Sequence, residues 1–261
     1  MSARHPTGLA GTRSQRGFTL VELMVTIAIA LFLLGGLVSI VQNVRRSYNQ
    51  QQALVQLQDQ QRFAITLLTD VIQSGGYFDN PTVDTAATAL PLDIPNGFGS
   101  GVAFTGTQGG AAPATTGDTI SVRFRTAVND GIINCTGGSN TAAAPNQVYV
   151  NAFSIAPDAN GVGQLMCSLN GAAAVPLVSG VASMQVYYGV KKTFPATDYN
   201  VDTYLQAGVM QPNDWLQIST VRLIVWFVNP LFGAPGRTTT QPQYIQYERV
   251  IQVMARAGDY T

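Results

Sequence analysis

The sequence predicts an α+β protein in which a long N-terminal α-helical spine packs on an antiparallel β-sheet, with a long loop between helix and sheet. Three observations give this prediction. An apolar run over residues 18–41 is followed by an amphipathic helical pattern over 42–76. Residues 77–117 are rich in Gly, Ala, Thr and Pro. Residues 118–261 then contain about six runs with the alternation or β-branched composition of strands.

The apolar run is long enough to cross a membrane. As an α-helix rising about 1.5 Å per residue, residues 18–41 extend about 36 Å, and the hydrocarbon core of a bilayer is about 30 Å thick. Glu22 lies near the start of the run, where a carboxylate is disfavoured unless a cation pairs with it. We therefore expect residues 18–41 to be the transmembrane half of the helix, and Glu22 to need a partner.

Residues 1–17 precede the apolar run and carry three arginines without an Asp or Glu. A secretory signal peptide is cut after its apolar region, whereas the candidate site after Gly17 lies before it. Cleavage there would leave a cationic amine on Phe18, which can neutralise the Glu22 carboxylate of a stacked neighbour. The alternative is an uncleaved signal anchor in which Glu22 occurs by chance.

The motif Gly17-Phe18-Thr19-Leu20-Val21-Glu22-Leu23 resembles the class III signal of type IV pilins and type II secretion pseudopilins. The resemblance implies a prepilin leader over residues 1–17, cut between Gly17 and Phe18 by a prepilin peptidase, usually with N-methylation of Phe18. It also implies a type IV pilin-like fold in which residues 18–41 are the transmembrane or filament-core half of the helix. In such a fold Glu22 helps the subunit dock into a helical filament.

The second half of the predicted helix, 42–76, is amphipathic, and Ser74-Gly75-Gly76 supplies a helix stop. Apolar residues recur three or four positions apart among Gln, Asp and Arg: Ala53, Leu57, Ala64, Leu67, Leu68, Val71 and Ile72. Gly35-Gly36, in the apolar half, either loosens the helix locally during assembly or is ordinary membrane-helix glycine.

Residues 77–117 are predicted to form a variable surface loop. Asp79 and Asp84 flank Pro81 in this segment, but their spacing matches no EF-hand pattern, so solvated turn residues are favoured over a Ca²⁺ site.

Residues 118–261 are predicted to form the β-sheet globular domain. The predicted strands are 119–125, 147–155, 163–169, 181–190, 219–228 and 244–254. In the first of these, Ser121, Arg123 and Arg125 form the polar side of a half-buried strand.

Composition argues against several functional classes. The only histidine is His5, inside the predicted leader, so the mature chain would lack His-based catalysis and His-ligated metal sites. Nucleotide-binding, hydrolase and metalloprotease motifs are absent from the sequence. The 14 basic and 14 acidic residues give no basic surface for nucleic acid. We therefore predict no enzymatic activity, no cofactor, no metal and no nucleic-acid partner.

Cys135 and Cys167 are the only cysteines, too few for a Cys-only zinc site. In an exported domain they are predicted to form one disulfide, which closes a loop of about 33 residues. The alternative is two buried free thiols.

Further phrases resemble the PilW group of minor pilins, with a gap over 79–116. They are Gln60-Gln61-Arg62-Phe63, Ser74-Gly75-Gly76-Tyr77-Phe78, Gly117-Asp118-Thr119-Ile120 and the segments 177–181, 187–190 and 215–223. This resemblance implies a low-abundance subunit that joins other minor pilins in a tip complex priming type IV pilus assembly. The implied partners are other minor pilins and the major pilin, the prepilin peptidase, the inner-membrane assembly platform and a large tip adhesin.

The expected location follows from the anchor and its flanking charges. Arginines lie on both sides of the span, and the larger number in the leader favours a cytoplasmic leader and a periplasmic domain. We expect a single-pass inner-membrane protein that later resides at the pilus tip on the cell surface. Two alternatives remain: a J-type pseudopilin of type II secretion, and a membrane-tethered enzyme or receptor with a coincidental leader.

Overall fold

The computed structural model describes residues 17–113, 116–141, 146–192, 200–233 and 241–256. Two helices and nine strands lie within these ranges: α1 (Leu20–Gln73), α2 (Ala86–Ala89), β1 (Phe104–Thr107), β2 (Thr119–Ala127), β3 (Asn146–Pro157), β4 (Gly163–Leu169), β5 (Val175–Ser179), β6 (Val181–Val190), β7 (Thr203–Leu205), β8 (Ile218–Val228) and β9 (Tyr244–Gln252). Single-turn 3-10 helices span Ala207–Val209, Asp214–Leu216 and Met254–Arg256. A long N-terminal helix followed by antiparallel strands confirms the predicted α+β, pilin-like class.

α1 contains 54 residues and remains helical through Gly35 and Gly36. The chain divides into two compact units, Met1–Gln51 and Gln52–Thr261, and α1 contributes to both. In the second unit one face of the helix is buried, and its members follow the predicted three- and four-residue spacing: Leu57, Ala64, Ile65, Leu68, Val71 and Ile72. This buried face anchors the sheets to the helix.

The helix ends at the predicted glycine stop. Gly76 has a positive φ of 78°, a left-handed conformation that glycine adopts without steric cost. Its backbone N donates a hydrogen bond to the Arg123 carbonyl at 2.9 Å, and this bond attaches the end of the helix to β2. A Cβ on Gly75 would overlap the ring of Phe104, which explains the second small residue of the stop.

The strands form two sheets, one in the order β1-β2-β3-β4-β5 and the other in the order β7-β6-β8-β9. The predicted strand set was incomplete, because β1, β5 and β7 are additional strands of only 4, 5 and 3 residues. One cluster of buried apolar residues includes side chains from α1 and from both sheets, for example Leu68, Phe153 and Leu223. The hydrophobic core therefore lies between the C-terminal part of α1 and the two sheets.

The polar side of β2 is not solvent-facing, contrary to the prediction. Arg123 is 1% exposed and Arg125 is 7% exposed. The chain between α1 and β1 covers this side, because the backbone N of Arg123 donates to Ala103 O and that of Arg125 donates to Tyr77 O. The predicted surface loop is thus partly packed, and Leu90 is fully buried within it.

Candidate assembly segment and partner-facing domain

The predicted processing and docking residues lie together at the start of α1. Gly17, Phe18 and Thr19 precede the helix, and Glu22 lies in its first turn. Residues 1–16 of the predicted leader lie outside the described residues. Thr19 caps the helix, since its Oγ1 accepts a hydrogen bond from the Glu22 backbone N at 3.3 Å. An acidic residue three positions after a Thr cap also places negative charge near the positive end of the helix dipole.

The side chains around Glu22 form an exposed apolar surface. The large apolar residues from Phe18 to Val44 are each at least 48% exposed in the described chain. By length and composition, α1 is the one helix within the described ranges that could cross a membrane. Covering each Leu, Ile or Phe contributes about 1.5–3 kcal/mol, so this surface strongly favours lipid or other helices over water. Glu22 is the carboxylate that such covering would bury.

A disulfide joins Cys135, in the loop after β2, to Cys167 in β4. The two Cα atoms are 6.4 Å apart, and both side chains are buried. The backbone N of Cys135 also donates to Asn151 Oδ1 at 2.8 Å, which attaches the same loop to β3. The predicted disulfide is confirmed, and the free-thiol alternative is wrong.

Arg123 anchors the segment that precedes β1. Its guanidinium donates to four main-chain carbonyls: Nε to Val102 O at 2.6 Å, Nη1 to Pro91 O at 2.6 Å, and Nη2 to Gly99 O at 2.6 Å and Leu90 O at 3.1 Å. It also lies 4.7 Å from the centre of the Phe98 ring. Burial lowers the pKa of Arg123 to about 10, against the opposing influence of Asp93, so the group stays cationic at neutral pH.

Asp79 and Asp84 are not the solvated turn residues that the sequence predicts, because both bind Arg125. Arg125 Nε lies 2.8 Å from Asp79 Oδ1, and Nη2 pairs with Asp84 Oδ2. Burial acts to lower the pKa of Arg125, but the hydrogen bonds to Asp84 and Asp79 outweigh it and raise the pKa. Within the described ranges, three or more His, Cys, Asp or Glu side chains do not gather anywhere as a metal site.

Asp118 is a buried carboxylate that sequence reasoning noted only as part of a family phrase. Its Oδ1 accepts from Gly109 N at 2.8 Å, and its Oδ2 accepts from Val186 N at 2.8 Å. The side chain is 2% exposed. Burial, with a contribution from Asp118, raises the pKa of the neighbouring Tyr188, which is therefore a neutral phenol. The signal in the sequence was a lone acidic residue directly before an apolar strand, which does not reveal its partners.

The structure places the predicted docking residues and the predicted disulfide in different units. Gly17, Phe18 and Glu22 belong to the first unit, whose described residues consist almost entirely of the apolar helix. Cys135 and Cys167 belong to the second, with both sheets and the two anchoring arginines.

Two family models match the chain. The model described as Type IV Pilus-assembly protein W matches residues 152–254, from β3 to the turn after β9. The model described as Prokaryotic N-terminal methylation motif matches residues 12–38, which include Gly17, Phe18 and Glu22. Among curated proteins and solved structures, no match was found. These two matches, together with the long N-terminal helix and the antiparallel sheets, support a type IV pilin of the PilW family with a prepilin-type class III signal.

Proposed function

We propose that this chain is a minor pilin that joins other minor pilins in a tip complex and thereby primes type IV pilus assembly. The observation that carries the proposal is the position of Glu22, in the first turn of an exposed apolar helix and four residues after Phe18. Prepilin peptidase cuts between Gly17 and Phe18, and the apolar helix then packs laterally against neighbouring subunits.

Cleavage and docking are coupled by charge. When neighbouring helices cover the apolar surface, Glu22 loses its water, which costs several kcal/mol unless a cation replaces it. The Phe18 amine is such a cation, and it exists only after the bond to Gly17 has been cut. Methylation of the amine leaves it basic, so the pairing with a neighbour's carboxylate persists. An unprocessed chain therefore docks poorly.

The second unit supplies partner choice in this proposal. Its Cys135–Cys167 disulfide supports an oxidising compartment and hence a periplasmic domain. In this proposal the helix lies in the inner membrane before assembly, and the subunit lies at the pilus tip afterwards. Its partners are the other minor pilins and the major pilin, the assembly platform in the inner membrane and a large tip adhesin. This role is structural and not enzymatic.

The N-terminus is tested first, by intact mass and N-terminal residue of the protein extracted from membranes of its native host. A chain that begins at methylated Phe18 supports the proposal. A chain that still begins at Met1 overturns it and makes the protein a simple signal anchor.

Glu22 is tested with two matched variants. Glu22→Gln keeps the size of the side chain and removes its charge, whereas Glu22→Asp keeps the charge. We expect both variants to be processed normally, and Glu22→Gln to enter sheared pili at a tenth of the wild-type level or less. Wild-type incorporation of Glu22→Gln would show that the charge pair does not drive docking.

The position in the filament separates the tip role from the alternative of a J-type pseudopilin. Gold-labelled antibody against the second unit should mark one end of each pilus, and deletion of the gene should abolish piliation and twitching. Loss of protein export with normal twitching would assign the chain to type II secretion instead.

A further inference from the structure

β9 forms an unusually long free sheet edge. The two sheets end in β1, β5, β7 and β9, and the first three of these contain 4, 5 and 3 residues. β9 contains 9 residues and no proline or glycine. Proteins limit unwanted strand pairing by keeping edge strands short or interrupting them. The other three edges follow that rule, whereas β9 offers about 27 Å of regular backbone.

The direction of the main-chain groups in β9 follows from its pairing with β8. Val253 N donates to Ser219 O and Asn229 N donates to Gln243 O, each at 2.9 Å. In this antiparallel register, the main-chain N–H and C=O groups of odd-numbered residues in β9 bond to β8. The main-chain N–H and C=O groups of even-numbered residues point away from β8. The outward residues are Tyr244, Gln246, Glu248, Val250 and Gln252. In the part of the chain that the structure describes, no hydrogen bond reaches their main-chain groups.

The side chains of β9 give the edge a definite chemistry. Tyr247 and Arg249 share the face of their buried partners Val225 and Leu223 on β8, yet both are exposed. Arg249 has no carboxylate partner among the described residues. On the opposite face, the charge of Glu248 is already matched by Arg222, whose Nε lies 2.7 Å away. The edge therefore presents one unmatched cation beside an aromatic ring.

We propose that the edge of β9 accepts a β-strand from another protein, an extended segment with an acidic residue between two apolar residues at alternate positions. Main-chain bonds to the outward groups supply the affinity, the acidic residue faces Arg249, and the apolar residues pack beside Tyr247 and Ile251. A second copy of this chain fits less well. Symmetric antiparallel pairing centred on Glu248 or Arg249 places like charges directly opposite each other. This inference does not depend on the tip role.

The test uses the full-length processed protein in detergent micelles and a fluorescent probe peptide, Thr-Val-Thr-Glu-Thr-Val-Thr, blocked at both ends. We expect binding to slow the amide exchange of the outward residues Gln246, Glu248 and Val250. A peptide with Lys in place of Glu should bind about fivefold more weakly. The preference should reverse in the Arg249→Glu variant. Unchanged exchange of the outward amides at millimolar peptide would overturn the proposal.

Val250→Pro removes one outward N–H without touching the bonds to β8, and Val250→Thr is its matched control. The proline variant should lose peptide binding at least tenfold while the threonine variant keeps it. Circular dichroism and the melting temperature show whether the proline variant folds. If the proline variant does not fold, the proposal is decided by whether Arg249→Glu reverses the preference between the Glu and Lys peptides. Self-association of the wild-type chain that Val250→Pro abolishes would assign the edge to a second copy and contradict the proposal.

Discussion

The carboxylate of Asp118 accepts a hydrogen bond from the backbone nitrogen of Val186 at 2.8 Å, although the two residues are 68 positions apart in the sequence. Asp118 directly precedes β2 in the five-stranded sheet, and Val186 lies in β6 of the four-stranded sheet. The backbone of Asp118 also donates to Met184 O at 2.8 Å. One residue therefore fixes where the first sheet meets the second.

Asp118→Asn should destabilise the domain by about 2–3 kcal/mol. The amide keeps one acceptor oxygen and turns its NH2 group toward either Gly109 N or the buried Val186 N, so that this backbone donor loses its acceptor inside the site. Thermal unfolding should show a melting temperature lower by roughly 5–10 °C. Asp59→Asn, at an exposed position on α1, is the control and should change stability by no more than about 0.5 kcal/mol. Equal effects of the two variants would contradict the role given to Asp118.

Arg123→Lys should release the segment that precedes β1. A lysine keeps the charge, but its single ammonium cannot reach the four carbonyls that the guanidinium fork binds. We expect a loss of about 2–4 kcal/mol and faster amide exchange across residues 90–102, with exchange in β3 changed much less. Arg62→Lys on the exposed side of α1 is the matched control. Uniform acceleration across the domain would mean that Arg123 supports the whole core.

The double variant Cys135→Ala/Cys167→Ala should lower the free energy of unfolding by about 3–4 kcal/mol, because the disulfide closes a loop with a sequence separation of 32. Urea titrations of variant and wild type measure the difference. In the same titrations with reductant present throughout, the two proteins should have similar free energies of unfolding. A difference of the same size under reducing conditions would attribute the effect to lost packing rather than to the cross-link.

Arg125 and Asp79 should show an energetic coupling of about 1 kcal/mol in a double-mutant cycle with Arg125→Gln and Asp79→Asn. The Arg125→Gln variant should lose more stability than the double variant. In the single variant, the carboxylates of Asp79 and Asp84 lie near each other without the guanidinium that pairs with both. The more exposed pair of Arg222 and Glu248 is the control, and its coupling should be smaller and more sensitive to salt. Equal coupling in both pairs would contradict the claim that burial strengthens the ion pair of Arg125.

Features with a local periodic signal could be predicted from the sequence. The apolar run, the amphipathic face of α1 and the longer strands all repeat every two or three to four residues, and the structure contains them. The strands β1, β5 and β7 are too short for such a signal. The disulfide could be predicted because the chain has two cysteines.

The errors concern residues whose environment comes from distant parts of the chain. Alternation correctly separated the two sides of β2 but could not show that the chain between α1 and β1 covers the side with Arg123 and Arg125. Asp79 and Asp84 lie 46 and 41 positions from Arg125, so their pairing leaves no spacing to recognise. The partner of Asp118 is farther still. Polar contacts of this kind require the fold before they can be assigned.

Arg123 holds its segment through carbonyl groups, which every amino acid provides. The exposed side chains of that segment can therefore change while the anchor persists, and Leu92 and Ile94, at 61% and 75% exposed, are examples. This exposed surface can vary in sequence while the backbone beneath it stays in place, as the loops of an antibody vary on a constant framework. The fold thus permits the chemistry of this surface to change without a change of scaffold.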